Sequence, residues 1–329
     1  MVDIANDSDS IYHRFFSHPG MVIDLLRAFL DPPLLAELDL DQLRRHNTKF
    51  TAWLGQRRRS DVVWEIPTRQ GGSIFLLLIL EFQSEVEAWM ALRVDVYTGL
   101  LYQQLVDERQ LKASAGLPPV LPIILYNGEP RWNAVTSVRD LIRLPKGTSL
   151  WNFQPDMRYY VIDEGGYPKE MLEGLSYLTA ILCRMEHPAS PEDLMRAGQD
   201  VVAWFEKHPD GPPVKDLFRE LLIAGLTRMK LDPLPHIPEA LQEVVIMLTA
   251  CVEKWAMEYE QRGEQRGEQR GEQRGEQKGK AEMLLDLLQD RFGSVPDGVR
   301  SKLSEADMDT LKGWSRKIFS AEKIEQIFQ

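Results

Sequence analysis

The sequence predicts a mixed α/β (α+β) fold in which helices flank a sheet, and two observations support this class. Short β-rich or wholly apolar runs occur at 61–66, 73–80 and 158–163. Segments whose apolar residues recur at helical spacing lie before and between them, at 9–30 and 85–105. Strands that alternate with helices are typical of α/β and α+β domains.

The N-terminal helical pattern covers residues 9–30. Gly20 weakens its middle, so two short helices are an alternative to one. The run ends at Asp31-Pro32-Pro33, because proline cannot continue a helix. A second short helical stretch is predicted over 34–43.

A β-hairpin is predicted by three consecutive segments. DVVWEI (61–66) is β-rich, PTRQGG (67–72) holds turn residues, and SIFLLLIL (73–80) is an unbroken apolar run. The last pattern predicts a strand that is buried on both faces. PPVLPIILYNGEP (118–130) predicts another buried strand, and RYYVID (158–163) predicts a further one.

The remainder of the chain is predicted to be helical on both sides of a repeat. Residues 168–258 read as helices with breaks at prolines, and 281–328 reads as a compact helical module. In this module Gly293 follows the first helix, and Ser304 and Ser320 are predicted N-caps.

A tetrapeptide repeat, QRGEQRGEQRGEQRGEQKGK, fills residues 261–280. Like charges fall four residues apart, and each glycine costs about 1 kcal/mol in a helix interior. We therefore expect a solvated spacer, with a helix imposed by its flanks or by self-association as the alternative. The predicted division of the chain is 1–165, 166–260, 261–280 and 281–329.

The composition excludes several classes of protein. The 329 residues are 43% hydrophobic and 27% charged, as in ordinary globular proteins. The net charge of −11 gives no bulk attraction to DNA or to an anionic membrane. The longest apolar run, 74–80, is far shorter than the about 20 residues that a membrane span needs. Two cysteines and no signal peptide predict a cytoplasmic protein.

Two carboxylates form the candidate site. If the hairpin is centred on residue 71, Asp61 and Glu81 face each other with Cβ atoms about 4.5–5.5 Å apart. Gln83 then shares a face with Glu81, while Phe82 points away. A divalent cation would neutralise such a pair, and hard oxygen ligands suit Mg²⁺, with Ca²⁺ or Mn²⁺ as alternatives. A bound metal ion supports phosphodiester hydrolysis.

A plainer interpretation of these acids is a solvated rim at the ends of two strands. A shift of the hairpin by one residue would place the two carboxylates on opposite faces.

Five segments occur in an order that is typical of one family: DSIYHRFF (9–16), RRSDVVWEI (58–66), LILEFQSEVEAWMALRVDVYTG (78–99), LPPVLPIILYNGEPRW (117–132) and RYYVID (158–163). They resemble the recombination-promoting nuclease, or putative transposase (YhgA-like), family of the PD-(D/E)xK nuclease superfamily. The resemblance implies a restriction-endonuclease-like mixed sheet flanked by helices. It also implies a metal-dependent DNA endonuclease linked to recombination and mobile elements.

The resemblance assigns roles to individual residues. Asp61 matches the aspartate of the PD element, and Glu81 matches the glutamate of the ExK element. These two would hold Mg²⁺, with the Phe82 backbone carbonyl as a further ligand. Gln83 stands where the superfamily usually has lysine, and it would orient the attacking water. Glutamine carries no charge, so the activity of such a site is in question.

Three further residues are candidates through the same resemblance. Asp9, at the start of DSIYHRFF, would complete the metal site, with a helix N-cap as the alternative. Arg93 and Tyr97 lie one helical turn apart after the site and would contact DNA. For Arg93 the alternative is an ordinary salt bridge to Glu87 or Asp95.

DNA binding by an acidic chain needs a local basic patch. Residues 41–60 hold six basic side chains against one acid, Asp41, for a net charge of +5. Within this stretch Arg57, Arg58 and Arg59 directly precede the predicted site, where they would contact phosphates. The alternative is a solvated arginine run.

We therefore expect a metal-dependent DNA endonuclease. The alternative is a catalytically weak or inactive DNA-binding protein that retains the nuclease fold. A third hypothesis is an interaction scaffold that forms homo-oligomers through 261–329. The C-terminal module resembles a small domain of unknown function that is often appended to these nucleases.

Overall fold

The computed structural model describes residues 4–47, 61–82, 85–109, 111–229 and 238–328, and it contains a mixed sheet of five strands. The strands lie in chain order: β1 (Arg44–His46), β2 (Val62–Pro67), β3 (Ser73–Glu81), β4 (Val120–Tyr126) and β5 (Tyr160–Asp163). The β1–β2 and β2–β3 pairs are antiparallel, and the β3–β4 and β4–β5 pairs are parallel. The predicted α/β class and hairpin are confirmed.

The edge strand β1 was not predicted. It consists of Arg44, Arg45 and His46, whose charge gives no strand pattern, and both arginines are exposed. Its pairing with β2 decides its conformation. The hairpin between β2 and β3 turns at Gly71 and Gly72, which have φ of 98° and 84°. Glycine occupies this left-handed region without steric cost, which explains the GG of the turn.

The helices surround and follow the sheet. They are α1 (Ile4–Phe15), α2 (Pro19–Phe29), α3 (Pro32–Glu37), α4 (Met90–Arg109), α5 (Lys169–Glu173), α6 (Leu178–Glu186), α7 (Pro191–Lys207), α8 (Lys215–Arg228), α9 (Leu241–Phe292), α10 (Asp297–Glu305) and α11 (Met308–Lys317). The alternative of two helices at the N-terminus is confirmed. Pro32 and Pro33 both end the preceding run and open α3, because proline is accommodated in the first turn of a helix.

Both faces of β3 are buried, as predicted. Leu76, Leu78 and Leu80 pack into a core with α1, α2 and the helices after β5. Phe75, Leu77 and Ile79 pack on the other face against α4. The residues beyond 165 therefore share the larger core with the N-terminal helices.

The chain divides into two compact units, Met1–Val252 and Glu253–Gln329. The predicted boundary at residue 165 falls inside the first unit, and the four-part division stays a prediction. The second unit has its own core, which contains Leu284, Leu288 and Leu311. No helix within the described ranges has the length and apolar character needed to cross a bilayer.

The repeat lies within α9, so the expectation of a non-helical spacer is wrong. Nucleation is the costly step of helix formation, and the apolar segments on both sides already form turns that pack in the cores. The helix then extends from both flanks through the repeat, despite the low helix propensity of the repeat.

Two predicted caps are also wrong. Ser304 lies inside α10, and Ser320 lies in a turn where its hydroxyl donates to the Lys317 carbonyl. Asp307 caps α11 instead, accepting from the Thr310 N–H at 2.7 Å. Gly293, with φ of 82°, does follow α9 as predicted.

Replacing Gly263, Gly267, Gly271 and Gly275 by alanine should stabilise α9 by up to about 1 kcal/mol per site, because an added Cβ meets no atom within 4 Å. Circular dichroism at 222 nm during thermal unfolding measures this gain. Gly293→Ala is the matched control and should destabilise, because its φ of 82° strains any side chain. An unchanged thermal unfolding midpoint of the quadruple variant would contradict a helical repeat.

Candidate active site

The carboxyl ends of the parallel strands meet at one edge of the sheet. The strand register aligns Glu81 of β3 with Tyr126 of β4 and Asp163 of β5. Asp61 directly precedes β2, whose antiparallel direction brings its start to the same edge. Titratable groups from four chain segments therefore lie along a single edge.

Asp61 and Glu81 are not directly opposite, so this part of the prediction is wrong. The hairpin pairs Val62 with Leu78 and Ile66 with Ile74, which centres it on residue 70 rather than 71. Continuing this register places Asp61 opposite Ile79, two residues before Glu81. Because side chains alternate with a period of two, this shift keeps both carboxylates on the same face, as diagonal neighbours.

Glu81 and Phe82 have their side chains on opposite faces of the sheet, as predicted. Glu81 lies on the α4 side, where its carboxylate meets Arg93. Phe82 packs against the core that contains α1, and its ring centroid is 4.7 Å from that of Tyr12. Gln83 lies outside the described residues, so its predicted place beside Glu81 stays a prediction.

Arg93 of α4 connects the two carboxylates. Its guanidinium is 2.7 Å from Glu81 Oε2, 3.8 Å from Asp61 Oδ1 and 3.8 Å from Glu87 Oε2. The Asp61 and Glu81 side chains are only 4% and 3% exposed. The salt bridge to Glu87 confirms one predicted alternative for Arg93. The contacts of Arg93 with Asp61 and Glu81 were not predicted.

The charge of Arg93 is favoured by its surroundings. Burial alone would lower its pKa, but attraction to Asp61, Tyr97 and Glu81 outweighs burial and raises the pKa above its usual value. The guanidinium also lies over the Tyr97 ring, 5.3 Å from its centroid. Tyr97 is only 9% exposed, which leaves little surface for the DNA contact that was predicted for it.

The cluster keeps a negative charge. Three carboxylates, those of Asp61, Glu81 and Glu87, lie within 4.0 Å of the single guanidinium of Arg93, for a formal sum of −2. Oxygen donors with excess negative charge suit Mg²⁺. Over the described ranges, no group of three or more histidine, cysteine, aspartate or glutamate side chains is arranged to hold a metal ion. A metal ion there would thus rely on two carboxylates together with further donors such as a backbone carbonyl.

Four other predicted site residues have less structural information. Arg57, Arg58 and Arg59 lie outside the described residues. Asp9 lies within α1 rather than at its first residue, so the N-cap interpretation is wrong and its metal role stays a prediction.

A second polar cluster, on the other face of the sheet, escaped the sequence reading. The Tyr12 hydroxyl donates to Glu164 Oε2 at 2.8 Å and accepts from Asn127 Nδ2 at 3.2 Å. Tyr12 and Asn127 lie within the family segments DSIYHRFF and LYNGEPRW, and Glu164 directly follows RYYVID. A polar residue in an otherwise apolar helix stripe was the available signal, but nothing in the sequence pairs these three positions.

Glu164 is 1% exposed, and burial raises its pKa well above the usual value. The hydrogen bond from Tyr12 lowers it, and the charges of Glu186 and Asp163 raise it further. Asp163, at the sheet edge, accepts from Arg131 at 3.0 Å and from the Trp132 N–H at 2.9 Å.

The fold and the edge cluster define a mixed α/β protein with a buried Asp–Glu–Arg group where the parallel strands end. The chain belongs to the family described as "Putative transposase, YhgA-like", whose model matches residues 6–212. The resemblance seen in the sequence is therefore confirmed.

Curated relatives include proteins named as nucleases and proteins named as inactive. Recombination-promoting nuclease RpnD of Escherichia coli O157:H7 is 27% identical over 120 residues, which are 36% of this chain and 45% of RpnD. Inactive recombination-promoting nuclease-like protein RpnE of Escherichia coli K12 is 30% identical over 125 residues, 38% of this chain and 40% of RpnE.

A third relative is recombination-promoting nuclease RpnA of Escherichia coli K12, 27% identical over 120 residues, 36% of this chain and 39% of RpnA. The chain thus spans less than half the length of each of these three relatives. No solved structure matches it.

Arg93→Met should lower the free energy of unfolding at pH 7 by about 3–5 kcal/mol, because it leaves two buried carboxylates without their shared cation. Urea denaturation at pH 7 measures the loss. Arg109→Met is the control: its bond to Glu65 is 41% exposed on the arginine side and is worth about 0–1 kcal/mol. Equal losses in both variants would contradict the role of Arg93.

Glu164 should make stability fall as the pH rises. Below its usual pKa of 4.5 both the folded and the unfolded chain carry the proton. Above it the unfolded chain releases the proton first, so the free energy of unfolding decreases until the raised folded pKa is passed. Thermal melts from pH 5 to 9 should show a smaller decrease in Glu164→Gln. The exposed Glu170→Gln should behave as the wild type, and parallel curves for Glu164→Gln would refute the assignment.

Proposed function

We propose that this chain is a divalent-metal-dependent DNA endonuclease that hydrolyses phosphodiester bonds during recombination or transposase-like reactions. The observation that carries the proposal is the pair of buried carboxylates, Asp61 and Glu81, on one face at the edge of the sheet. Family membership and the relatives named as nucleases support the reaction class.

Within this proposal, Asp61, Glu81 and the Phe82 carbonyl hold Mg²⁺, with Asp9 as a further candidate ligand. The formal charge of −2 around Arg93 supports a divalent ion there. Bound Mg²⁺ would polarise the phosphodiester and lower the pKa of a bound water. Gln83 orients the attacking water through its amide, which accepts and donates hydrogen bonds but supplies no charge.

Arg93 has two tasks in this proposal. It holds Asp61 and Glu81 together through the contacts at 3.8 and 2.7 Å. Glu87, 3.8 Å away, helps to keep the guanidinium beside these two carboxylates. From that position Arg93 can pair with a DNA phosphate, to which its planar donors are well suited.

Sequence-independent affinity for DNA comes in this proposal from the basic segment before β2. Arg44 and Arg45 of β1 are exposed, and Arg57, Arg58 and Arg59 extend the same stretch towards Asp61. The net charge of −11 makes such a local patch necessary. We place this activity in the cytoplasm, where Cys183 and Cys251, both free, would stay reduced.

A second candidate is a DNA-binding protein that retains the fold and cleaves weakly or not at all. The observation in its favour is that Arg93 already supplies a cation between the two carboxylates. The uncharged Gln83 and the relative named as inactive point the same way. Assembly through 261–329 would suit either candidate.

Asp61→Asn and Glu81→Gln should each reduce Mg²⁺-dependent nicking of a plasmid at least about 100-fold, because metal catalysis contributes several kcal/mol and each 1.36 kcal/mol is a factor of ten. Glu65→Gln is the control, because Glu65 lies on β2 and pairs with Arg109, outside the cluster of Asp61, Glu81 and Arg93.

Equal nicking by Asp61→Asn and the wild type would refute the proposed site. A wild-type protein that binds DNA in a salt-sensitive manner without nicking it would favour the second candidate. Gln83→Lys would then test whether the missing ammonium is the cause.

A further inference from the structure

The loop formed by residues 139–158 leaves the sheet at the start of β5, at the opposite end of that strand from the candidate site. Two backbone hydrogen bonds of 3.1 Å close its base. One runs from the Val138 N–H to the Met157 carbonyl, and the other runs from the Tyr159 N–H to the Thr136 carbonyl. Val138 and Tyr159 are buried in the core on the α4 side. The loop therefore projects from an anchored base.

Side-chain contacts brace this loop internally. Trp151 Nε1 donates to the Pro145 carbonyl at 2.9 Å. The guanidinium of Arg139 lies over the Trp151 ring, 4.9 Å from its centroid. Gln154 Nε2 donates to the Leu150 carbonyl at 3.0 Å. A loop that is braced in this way loses little conformational freedom when it binds a partner.

Phe153 extends from the braced loop into solvent. It is 81% exposed, the largest fraction among the large apolar residues that the structure describes, and Leu150 on the same loop is 53% exposed. An aromatic side chain that is left in water contributes little to the stability of the fold. Exposed aromatic rings are the surfaces on which proteins stack unpaired nucleic-acid bases.

The loop is basic, although the chain as a whole is acidic. It holds four basic side chains and two acids, for a net charge of +2, whereas the whole chain carries −11. Asp156 lies 3.6 Å from Arg139 and 3.9 Å from Arg158. Arg143 and Lys146 are exposed and pair with no acid among the described residues. Two such cations on the loop that carries an exposed aromatic ring are complementary to phosphates and unpaired bases.

We propose that the loop 139–158 binds single-stranded DNA, with Phe153 stacked on an unpaired base and with Arg143 and Lys146 on phosphates. This inference rests on the proposed function, which it deepens by naming DNA with an unpaired portion as the substrate class. The bases of a duplex stack on one another, so only unpaired bases offer a face to Phe153. A purely apolar partner would contact Phe153 and Leu150 but would leave the two cations without a role.

Fluorescence anisotropy of a labelled oligothymidine, with EDTA in place of Mg²⁺, measures this binding without cleavage. Phe153→Ala should weaken the binding about tenfold, because the stacking of one base is lost. Phe153→Trp should retain wild-type affinity because its ring also stacks, whereas Phe153→Leu should lose as much as Phe153→Ala. Phe319→Ala is the matched control, because Phe319 is 76% exposed and lies in the second unit.

The salt dependence of the same binding tests the two cations. Replacing Arg143 and Lys146 together by glutamine should make the slope of log affinity against log salt shallower by about 1.4, because each phosphate contact to a single strand contributes about 0.7. Phe153→Ala should leave that slope unchanged. Glutamine at Arg316 and Lys317, which are exposed in α11, controls for the loss of two positive charges.

Wild-type affinity for oligothymidine in folded Phe153→Ala, or an equal loss in Phe319→Ala, would overturn the inference and leave the proposed function standing. Phe153-dependent attachment to phosphatidylserine vesicles, with unchanged affinity for DNA, would also overturn it and would indicate a membrane surface instead. Absence of oligothymidine binding by the wild type would overturn it as well. Phe153-dependent DNA binding by a protein that never nicks a plasmid would support the inference and refute the endonuclease proposal alone.

Discussion

The attraction between Arg93 and the two carboxylates of Asp61 and Glu81 is the interaction on which the edge of the sheet depends. Both acids are almost fully buried, and an isolated buried carboxylate is strongly unfavourable. Because Arg93 comes from α4, the helix that covers this face is tied to the strands at the very place where their carboxyl ends meet. The helix, the hairpin and the acidic cluster therefore form one electrostatic unit.

A sheet buried on both faces gives this edge two different neighbourhoods. On the α4 side, Glu81 meets a cation and a cluster with excess negative charge. On the α1 side, the Phe82 ring contacts the ring of Tyr12, and the Tyr12 hydroxyl is hydrogen-bonded to Glu164 and Asn127. Since side chains alternate along a strand, two consecutive residues can connect a charged site to an apolar core. A site built in this way is supported by contacts on both faces of the sheet.

Family membership and the geometry of the site both favour the proposed class of reaction. For the activity itself they favour two alternatives, a nuclease and a protein that cleaves weakly or not at all. The carboxylate pair suits metal-assisted hydrolysis. In the second candidate, the guanidinium of Arg93 and the uncharged Gln83 would favour binding without rapid cleavage. A relative named as a nuclease and one named as inactive match this chain at comparable identity, 27% and 30%. In the proposed scheme, the chemistry of Arg93 and Gln83, rather than the fold, would decide between the two candidate functions.

The sequence by itself determined the mixed α/β class, the hairpin and the shared face of Asp61 and Glu81, because periodicity and turn residues are local properties of the chain. A register error of two residues left that shared face intact. Only the tertiary structure decided that Arg93 reaches both acids and that Tyr12, Asn127 and Glu164 meet, because these contacts join positions up to 152 residues apart. It also decided that the glycine-rich repeat is helical, because packed flanks outweigh its local propensity.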